Sequence, residues 1–156
     1  SNFAPGPELQ SRHNRKYWNG VRYLGIGPSA HSFDPAQAER SWNHRTLDDW
    51  QATVFKDCEP TAGRERLSPA QCALEELFLR LRTTDGLDLG AFESRFGKGV
   101  VQNNRTLFRD WRNRSLVRFE GDDDRGRLKP TLDGLAVADA LAREADLDCL
   151  ADRNVA

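Results

Sequence analysis

The chain has 156 residues, of which 38% are hydrophobic and 30% charged, and its formal net charge is −1. This composition predicts a globular protein with one good core, and the balanced charge excludes a general attraction to nucleic acid or to an anionic membrane surface. No apolar run approaches the roughly 18 residues of a membrane span, and Cys58, Cys72 and Cys149 are odd in number and far apart, which is typical of reduced thiols in a cytoplasmic protein.

Residues 1–45 are rich in small and polar residues and predict one strand at most, at residues 21–26, where hydrophobicity alternates. The strand runs into a series of small or rigid residues, namely Gly25, Gly27, Pro28, Ser29 and Ala30. Such residues let a backbone approach a ligand closely, which is typical of the ligand-facing end of an α/β sheet. A tight turn without a ligand is an equally good interpretation. A Rossmann site is excluded, because the prolines and polar residues that follow prevent the helix that its fingerprint requires.

Thr46 predicts the start of the next element, a helix. Its hydroxyl can cap the helix, and Asp48 and Asp49 favour the first turn. Residues 58–66 contain Pro60 and Gly63 and predict a linker.

The remaining residues predict a compact helical domain. Ser68, Pro69 and Gln71 form a helix start with a capping box, and Asp88 and Thr131 cap two further helices. A further helix is predicted between those that Asp88 and Thr131 cap, and each of the four helices has one largely apolar face. In chain order, these faces are formed by Leu74, Leu77, Phe78 and Leu81; Leu89, Phe92 and Phe96; Val100, Asn104, Leu107, Phe108 and Trp111; and Leu135, Ala138, Leu141, Ala142 and Ala145. Residues 116–120 and 127–129 predict two strands around a turn. Three helices, a hairpin and a helix predict a winged-helix-like domain.

A winged helix raises the alternative of a nucleic-acid-binding module. Arg105, Arg109 and Arg112 lie on a polar stripe of the third helix, which is the recognition position in such domains. Against this, the acidic turn at residues 122–124 would face phosphates. The other interpretation is a solvated arginine face.

Four elements of the sequence resemble one family when taken together. They are Ser1-Asn2-Phe3-Ala4, His13-Asn14-x-x-Tyr17-Trp18, Tyr23-Leu24-Gly25-Ile26-Gly27 and Ala30-His31-Ser32, and Trp42-Asn43, Leu67-Ser68-Pro69 and Asp85-Gly86 agree with it. The family is that of oxygen-independent coproporphyrinogen III oxidase and its relatives, which are radical S-adenosylmethionine (SAM) proteins. The His-Asn-x-x-Tyr-Trp element resembles the HemW-type haem chaperones of this family more than the oxidase.

The resemblance implies an α+β fold in three parts. Residues 1–45 would be the closing segment of a radical SAM partial α/β barrel, residues 46–66 a helix and linker, and residues 67–156 the winged-helix-like domain. It also implies a role in porphyrin or haem metabolism, either the oxidative decarboxylation of coproporphyrinogen III or haem chaperone activity. The tetrapyrrole concerned and the enzymatic status of the protein stay open at this point.

The cofactors implied by the resemblance lie outside this chain. No cysteine pair has cluster-binding spacing and the chain has no methionine, so we expect it to be the C-terminal part of a longer protein. The upstream radical SAM domain would hold a 4Fe-4S cluster and SAM. We therefore expect this chain alone to be inert, with that domain and a tetrapyrrole as its partners, and we predict no catalytic or metal-binding residue in it.

The resemblance also assigns candidate site residues. Gly25, Gly27, Ser29 and Ala30 would shape the SAM and tetrapyrrole cavity. His13 is the candidate haem contact, because imidazole is a common axial ligand of haem iron, and Tyr17 and Trp18 beside it would pack on a porphyrin face. The competing interpretation is that His13 only fixes the loop before Trp18. His13, His31 and His44 are too scattered in the sequence to predict a zinc site.

Overall fold

The computed structural model describes residues 7–97, 99–122 and 125–150. The chain divides into two compact units, Ser1–Leu67 and Ser68–Ala156, which we call the N-terminal unit and the C-terminal unit. No helix of the described residues is long and apolar enough to cross a membrane. The Ser1-Asn2-Phe3-Ala4 element, Asp123 and Asp124 lie outside the described residues.

The N-terminal unit contains two helices and an antiparallel sheet. After a 3-10 turn at Pro7–Leu9, its elements are α1 (Arg12–Trp18), β1 (His31–Asp34), β2 (Glu39–Asn43), α2 (Leu47–Val54) and β3 (Thr61–Arg66). The strands lie in the order β1-β2-β3, and the register places Ser32 opposite Ser41 and Ser41 opposite Arg64. The Thr46 hydroxyl accepts a hydrogen bond from the Asp49 amide at 3.2 Å, which confirms the predicted cap of α2.

Three predictions for the N-terminal unit are wrong. Residues 21–26 form no strand; Tyr23 alone makes an isolated bridge to Phe33, with hydrogen bonds in both directions at 3.1 and 3.0 Å. Residues 1–45 contain β1 and β2 rather than one strand at most, and Thr61–Arg66 is a strand rather than linker. These strands were not predicted because their residues do not alternate between apolar and polar; β2 and β3 carry instead a cross-strand ion pair between Arg40 and Glu65 at 3.3 Å.

The C-terminal unit combines helices with a small sheet. Its elements are α3 (Pro69–Leu81), β4 (Leu87–Asp88), α4 (Leu89–Phe96), α5 (Val100–Asn103), α6 (Arg105–Asn113), β5 (Val117–Glu120), β6 (Arg127–Pro130), α7 (Leu132–Ala136) and α8 (Ala138–Glu144), followed by a 3-10 turn at Asp148–Leu150. The strands lie in the order β4-β6-β5. A mixed α+β fold is thereby confirmed, and β4 is a strand that the sequence did not predict.

The predicted helix starts of the C-terminal unit are confirmed. The Ser68 hydroxyl accepts from the Gln71 amide at 3.2 Å while the Gln71 side chain accepts from the Ser68 amide at 2.7 Å, which is a complete capping box. The Asp88 and Thr131 side chains cap α4 and α7 by accepting from the Ala91 and Gly134 amides at 2.9 and 3.1 Å, without a reciprocal bond. The helices pack around a buried core that includes Leu77, Leu81, Phe92, Phe108, Trp111, Leu128 and Leu141.

Two helices predicted as continuous are each divided in two. Between α5 and α6, the buried Asn104 turns its side chain onto the main chain, donating to the Val100 and Asp146 carbonyl oxygens at 2.9 and 2.7 Å. Such side-chain bonds compete with the helical ladder, which accounts for the break. Between α7 and α8, Val137 leaves the helical conformation. Gly134 of α7 contacts the Leu116 carbonyl oxygen so closely that any larger residue would clash with it.

Candidate functional site

The candidate haem contact His13 lies on a helix with one exposed and one half-buried face. Ser11 caps α1 by accepting a hydrogen bond from the Asn14 amide at 3.3 Å. The exposed residues are Arg12, His13, Lys16 and Tyr17, and the half-buried residues are Asn14, Arg15 and Trp18. The structure therefore places His13 and Tyr17 together on the accessible face, and Trp18 on the other face.

An aromatic row connects this helix to the sheet. The ring centroids of His13 and Tyr17 are 5.0 Å apart, those of Tyr17 and Tyr23 are 4.6 Å apart, and those of Tyr23 and Phe33 are 6.2 Å apart. The first two contacts are edge-to-face, a favourable arrangement of aromatic rings. We call His13, Tyr17, Tyr23 and Phe33 the aromatic row. The row links Tyr17 of α1 through Tyr23 to Phe33 of β1, and His13 lies at its outer end.

The Asn43 side chain binds the glycine loop at residues 25–30 at two points. The Asn43 Nδ2 donates to the carbonyl oxygens of Gly25 and Gly27 at 3.3 and 2.9 Å, and the Asn43 N–H donates to the Ala30 carbonyl oxygen at 3.0 Å. Gly27 has φ +106° and Ser29 has φ +58°, so the loop uses left-handed conformations that favour glycine. These contacts bring Gly25, Gly27 and Ala30 onto the end of β2, and the Ser29 N–H donates to the carbonyl oxygen of the next residue, His44, at 2.9 Å.

Sequence reasoning missed the role of Asn43, which it noted only as part of a resemblance. The carbonyl oxygens that it binds belong to residues 16 and 18 positions earlier in the chain. A contact between residues so far apart in the chain leaves no pattern in the local sequence. Its side chain is 9% exposed, and a buried polar group must find partners. A polar residue at a strand end next to Trp42 was the only available signal.

The other two histidines do not join His13. The His31 ring is exposed and lies 6.3 Å from the Trp42 ring, and His44 binds Pro60 and Ser29 through its main chain. Among the residues that the structure describes, no group of three or more His, Cys, Asp or Glu side chains could hold a metal ion. The histidines therefore supply separate contacts and not a common site.

A polar groove of about 590 Å³ lies on the N-terminal unit. It is lined by Arg22, Tyr23, Leu24, Ser32, Phe33, Asp34, Gln37, Glu39, Ser41, Glu59 and Arg64. Arg64 pairs with Glu39 at 3.1 Å and with Glu59 at 2.6 Å, and Arg22 pairs with Asp34 at 3.5 Å. The hydrogen bond that Arg64 donates to Glu39 and the charges of Glu59 and Glu39 raise the pKa of Arg64. The charged groups of this groove satisfy one another, and none of the predicted site residues lines it.

The cysteines do not form a cluster site. Cys58 and Cys149 are exposed and Cys72 is half-buried, and all three are present as thiols. Cys58 belongs to the N-terminal unit and the other two to the C-terminal unit. An iron–sulfur cluster is held by a set of cysteine thiolates close together, and these residues do not fit that requirement.

Arg112 of the predicted arginine stripe, and Arg114 directly after α6, contact residues of their own unit. The Arg112 guanidinium lies 5.5 Å from the centre of the Phe119 ring, and Arg114 pairs with Asp110 at 3.2 Å and with Glu144 at 3.9 Å. Arg105 and Arg109 lie on the same helix. These contacts connect α6 with β5 and α8.

Comparison with known proteins gives one family match and several relatives. Residues 67–137 match the HemN C-terminal domain family. The haem chaperone HemW of Mycobacterium tuberculosis is 30% identical over 139 residues, which are 89% of this chain and 32% of that protein. The mitochondrial radical S-adenosyl methionine domain-containing protein 1 of Danio rerio is 31% identical over 147 residues, 90% of this chain and 33% of that protein. The chain thus spans about a third of the length of these relatives.

A solved structure has a similar fold. Coproporphyrinogen III oxidase (HemN) from Escherichia coli, a radical SAM enzyme, superposes with a TM-score of 0.60 over 82% of this chain and 29% of that one. The two sequences are 17% identical in this alignment, so the likeness is one of fold alone.

Proposed function

We propose that the chain, whose residues 67–137 match the HemN C-terminal domain family, belongs to the HemN and HemW group of radical SAM proteins and is the C-terminal part of a HemW-type haem chaperone. The observation that carries this proposal is the exposed pair His13 and Tyr17, at the end of the aromatic row, in a chain that aligns with HemW over 89% of its length. The alternative within the family is coproporphyrinogen III oxidase, which decarboxylates two propionates.

In this proposal His13 binds haem iron and Tyr17 packs on the porphyrin. An iron ligand must be a neutral imidazole with its second nitrogen hydrogen-bonded, and an exposed histidine can adopt either orientation. The edge-to-face contact with Tyr17 positions the His13 ring, which stays exposed to solvent. Trp18 supports α1 from its half-buried face instead of contacting the porphyrin.

The N-terminal unit would close the radical SAM barrel of the parent protein, and the 4Fe-4S cluster and SAM would be held upstream. Leu24 and Ile26 support this proposal, because they lie on either side of Gly25 at the start of the glycine loop and are 79% and 84% exposed. Large apolar side chains exposed in one segment indicate a surface that another segment covers. Gly25, Gly27, Ser29 and Ala30 would then lie beside the cavity of the parent. The three thiols accord with a cytoplasmic location.

The C-terminal unit would be a winged-helix-like domain that closes over the cavity or presents a surface to a partner. Its helices and its sheet β4-β6-β5 have the composition of such a domain. No finding supports the nucleic-acid-binding alternative, and Arg112 and Arg114 make contacts within the unit.

The experiment is a haem titration of the full-length protein and its His13→Ala variant. We expect weaker binding and an altered haem absorption spectrum, with a nearly unchanged melting temperature because His13 is exposed. His31→Ala is the matched control, since His31 is also an exposed histidine beside an aromatic ring. An unchanged spectrum in His13→Ala, or a variant that unfolds, would show that His13 has a structural role only.

A further inference from the structure

The exposed face of α1 carries positive charge next to His13. Arg12 and Lys16 are exposed, as His13 and Tyr17 are, and the helix contains no acidic residue. At 3.6 residues per turn, Lys16 and Tyr17 lie on either side of His13, and Arg12 lies beyond Lys16. One face therefore presents, in order, two cations, an imidazole and a phenol ring.

We propose that Arg12 and Lys16 bind the propionate carboxylates of the porphyrin whose iron His13 binds. The inference rests on the proposed function and adds the chemistry by which the ligand is selected. Haem carries its two carboxylates at one edge of the ring, and the two cations lie together on one side of His13. Residues four apart on a helix are neighbours, so both side chains can reach the same edge of a ligand.

The separation of apolar and charged side chains on this face of α1 explains how a flat, amphipathic ligand is oriented. Tyr17 offers an apolar ring that packs on the porphyrin, and it continues into Tyr23 of the aromatic row. Arg12 and Lys16 offer charge on the opposite side of His13. A porphyrin with its carboxylates on the side of Tyr17 would leave them without a cation on α1. The arrangement therefore selects one orientation of the ring.

The exposure of the face suits a protein that transfers its ligand. A porphyrin held on one helix face keeps its other side open to a recipient protein. Contacts between exposed charges are weak and screened by salt, so they orient the ligand without trapping it. A buried pocket would hold haem more tightly and release it more slowly.

The test compares haem with haem dimethyl ester, which has the same ring and iron but no free carboxylates. Both ligands are titrated in the same detergent buffer into the full-length protein and its Arg12→Gln/Lys16→Gln variant. We expect the Kd for haem to rise roughly tenfold in the variant, from two lost charge contacts, and the Kd for the ester to stay unchanged. The matched control is Arg45→Gln/Lys56→Gln, which removes two exposed cations elsewhere in the N-terminal unit and should affect neither ligand.

Each other outcome has a separate meaning. Equal weakening for haem and ester would overturn the proposal, since the loss would not depend on carboxylates. No weakening for haem would also overturn it, and would leave α1 as a docking face for an acidic protein surface. If the double variant behaves as expected but His13→Ala leaves the haem spectrum unchanged, the carboxylate contacts stand and the iron assignment to His13 fails.

Discussion

The two units of the chain use their side chains in opposite ways. Among the described residues, every buried hydrophobic side chain lies at or after Leu67, whereas the residues before Leu67 bury only the polar Asn43. The N-terminal unit instead exposes Leu24, Ile26 and Phe55. The C-terminal unit therefore has a core of its own, and the N-terminal unit has a sheet and a loop but little apolar burial to stabilise them.

The difference indicates that the stable core lies in the C-terminal unit and the candidate site in the N-terminal unit. The C-terminal unit buries enough apolar surface to fold as a unit, in agreement with its match to a domain family. The N-terminal unit contains all the candidate site residues and has exposed apolar side chains beside them. A site in a unit of low intrinsic stability depends on what covers it, and here that would be the remainder of the parent protein.

The largest expected effect is the loss of a central core side chain. Trp111 is fully buried and donates to the Glu144 carboxylate at 2.7 Å, so Trp111→Ala should lower the free energy of unfolding by about 3–5 kcal/mol. Trp18→Ala, in the N-terminal unit, should leave the main transition in place because Trp18 is outside that core. Urea unfolding followed by circular dichroism measures both, and equal shifts would mean that the units share one core.

A second prediction concerns the order of hydrogen exchange. Residues 67–145 should be the stable core, and residues 1–40 should exchange first, including the amides of β1. Exchange reports local opening, and a segment with few buried apolar contacts opens at a lower free energy. Mass spectrometry of peptides from both units measures this. Protection of β1 equal to that of α3 would remove the contrast between the units.

Replacing either of the two buried asparagines should have an effect of intermediate size on stability, and the two variants can be compared directly. Asn43 and Asn104 each bind two main-chain carbonyl oxygens through Nδ2, so replacing either with alanine leaves acceptors unsatisfied at a cost of about 1–3 kcal/mol. Asn104→Ala should lower the unfolding free energy of the C-terminal unit. Asn43→Ala should instead accelerate exchange in the glycine loop at residues 25–30. A global loss in Asn43→Ala would show that the loop belongs to the main cooperative unit.

Features that depend on residues close in the chain were predicted well from the sequence, and features that depend on distant residues were predicted poorly. Ser68, Asp88 and Thr131 act on amides three residues away, so their caps were visible in the sequence. The pairing of Arg40 with Glu65 joins residues 25 apart, and it holds together strands without apolar alternation. The break at Asn104 involves a contact with the distant Asp146, which helical periodicity does not reveal.

In the candidate site, too, contacts within one element could be predicted from the sequence and contacts between elements could not. His13 and Tyr17 are four residues apart on a helix, so their proximity followed from the sequence once α1 was formed. The contacts of Tyr17 with Tyr23 and of Asn43 with Gly27 cross between elements, and the alternating residues 21–26 suggested a strand in their place. The resemblance named these residues without giving their contacts.

The smallest expected effect is a pH-dependent contribution from one ion pair between α3 and α8. Arg82 binds Asp139 with two hydrogen bonds of 2.8 Å and lies 5.7 Å from the Phe78 ring centre. The hydrogen bond from Arg82 lowers the pKa of Asp139 in the folded protein. The folded state then binds its proton less readily than the unfolded state, so the stabilisation is present above a pH of about 3.9 and is lost as the pH falls through the lowered pKa.

Both side chains of this pair are about half exposed, so solvent limits its contribution to roughly a few tenths of a kcal/mol. Asp139→Asn should lower the free energy of unfolding by that amount at pH 7, and the difference from the unmodified protein should be smaller at pH 2, below the pKa of about 3.9 in the unfolded chain. Asp133→Asn is the control, because Asp133 is an exposed carboxylate on the neighbouring α7. Urea unfolding at both pH values measures the two variants. A difference at pH 2 equal to that at pH 7 would mean that Asp139 stabilises the α3–α8 contact through packing rather than through its charge.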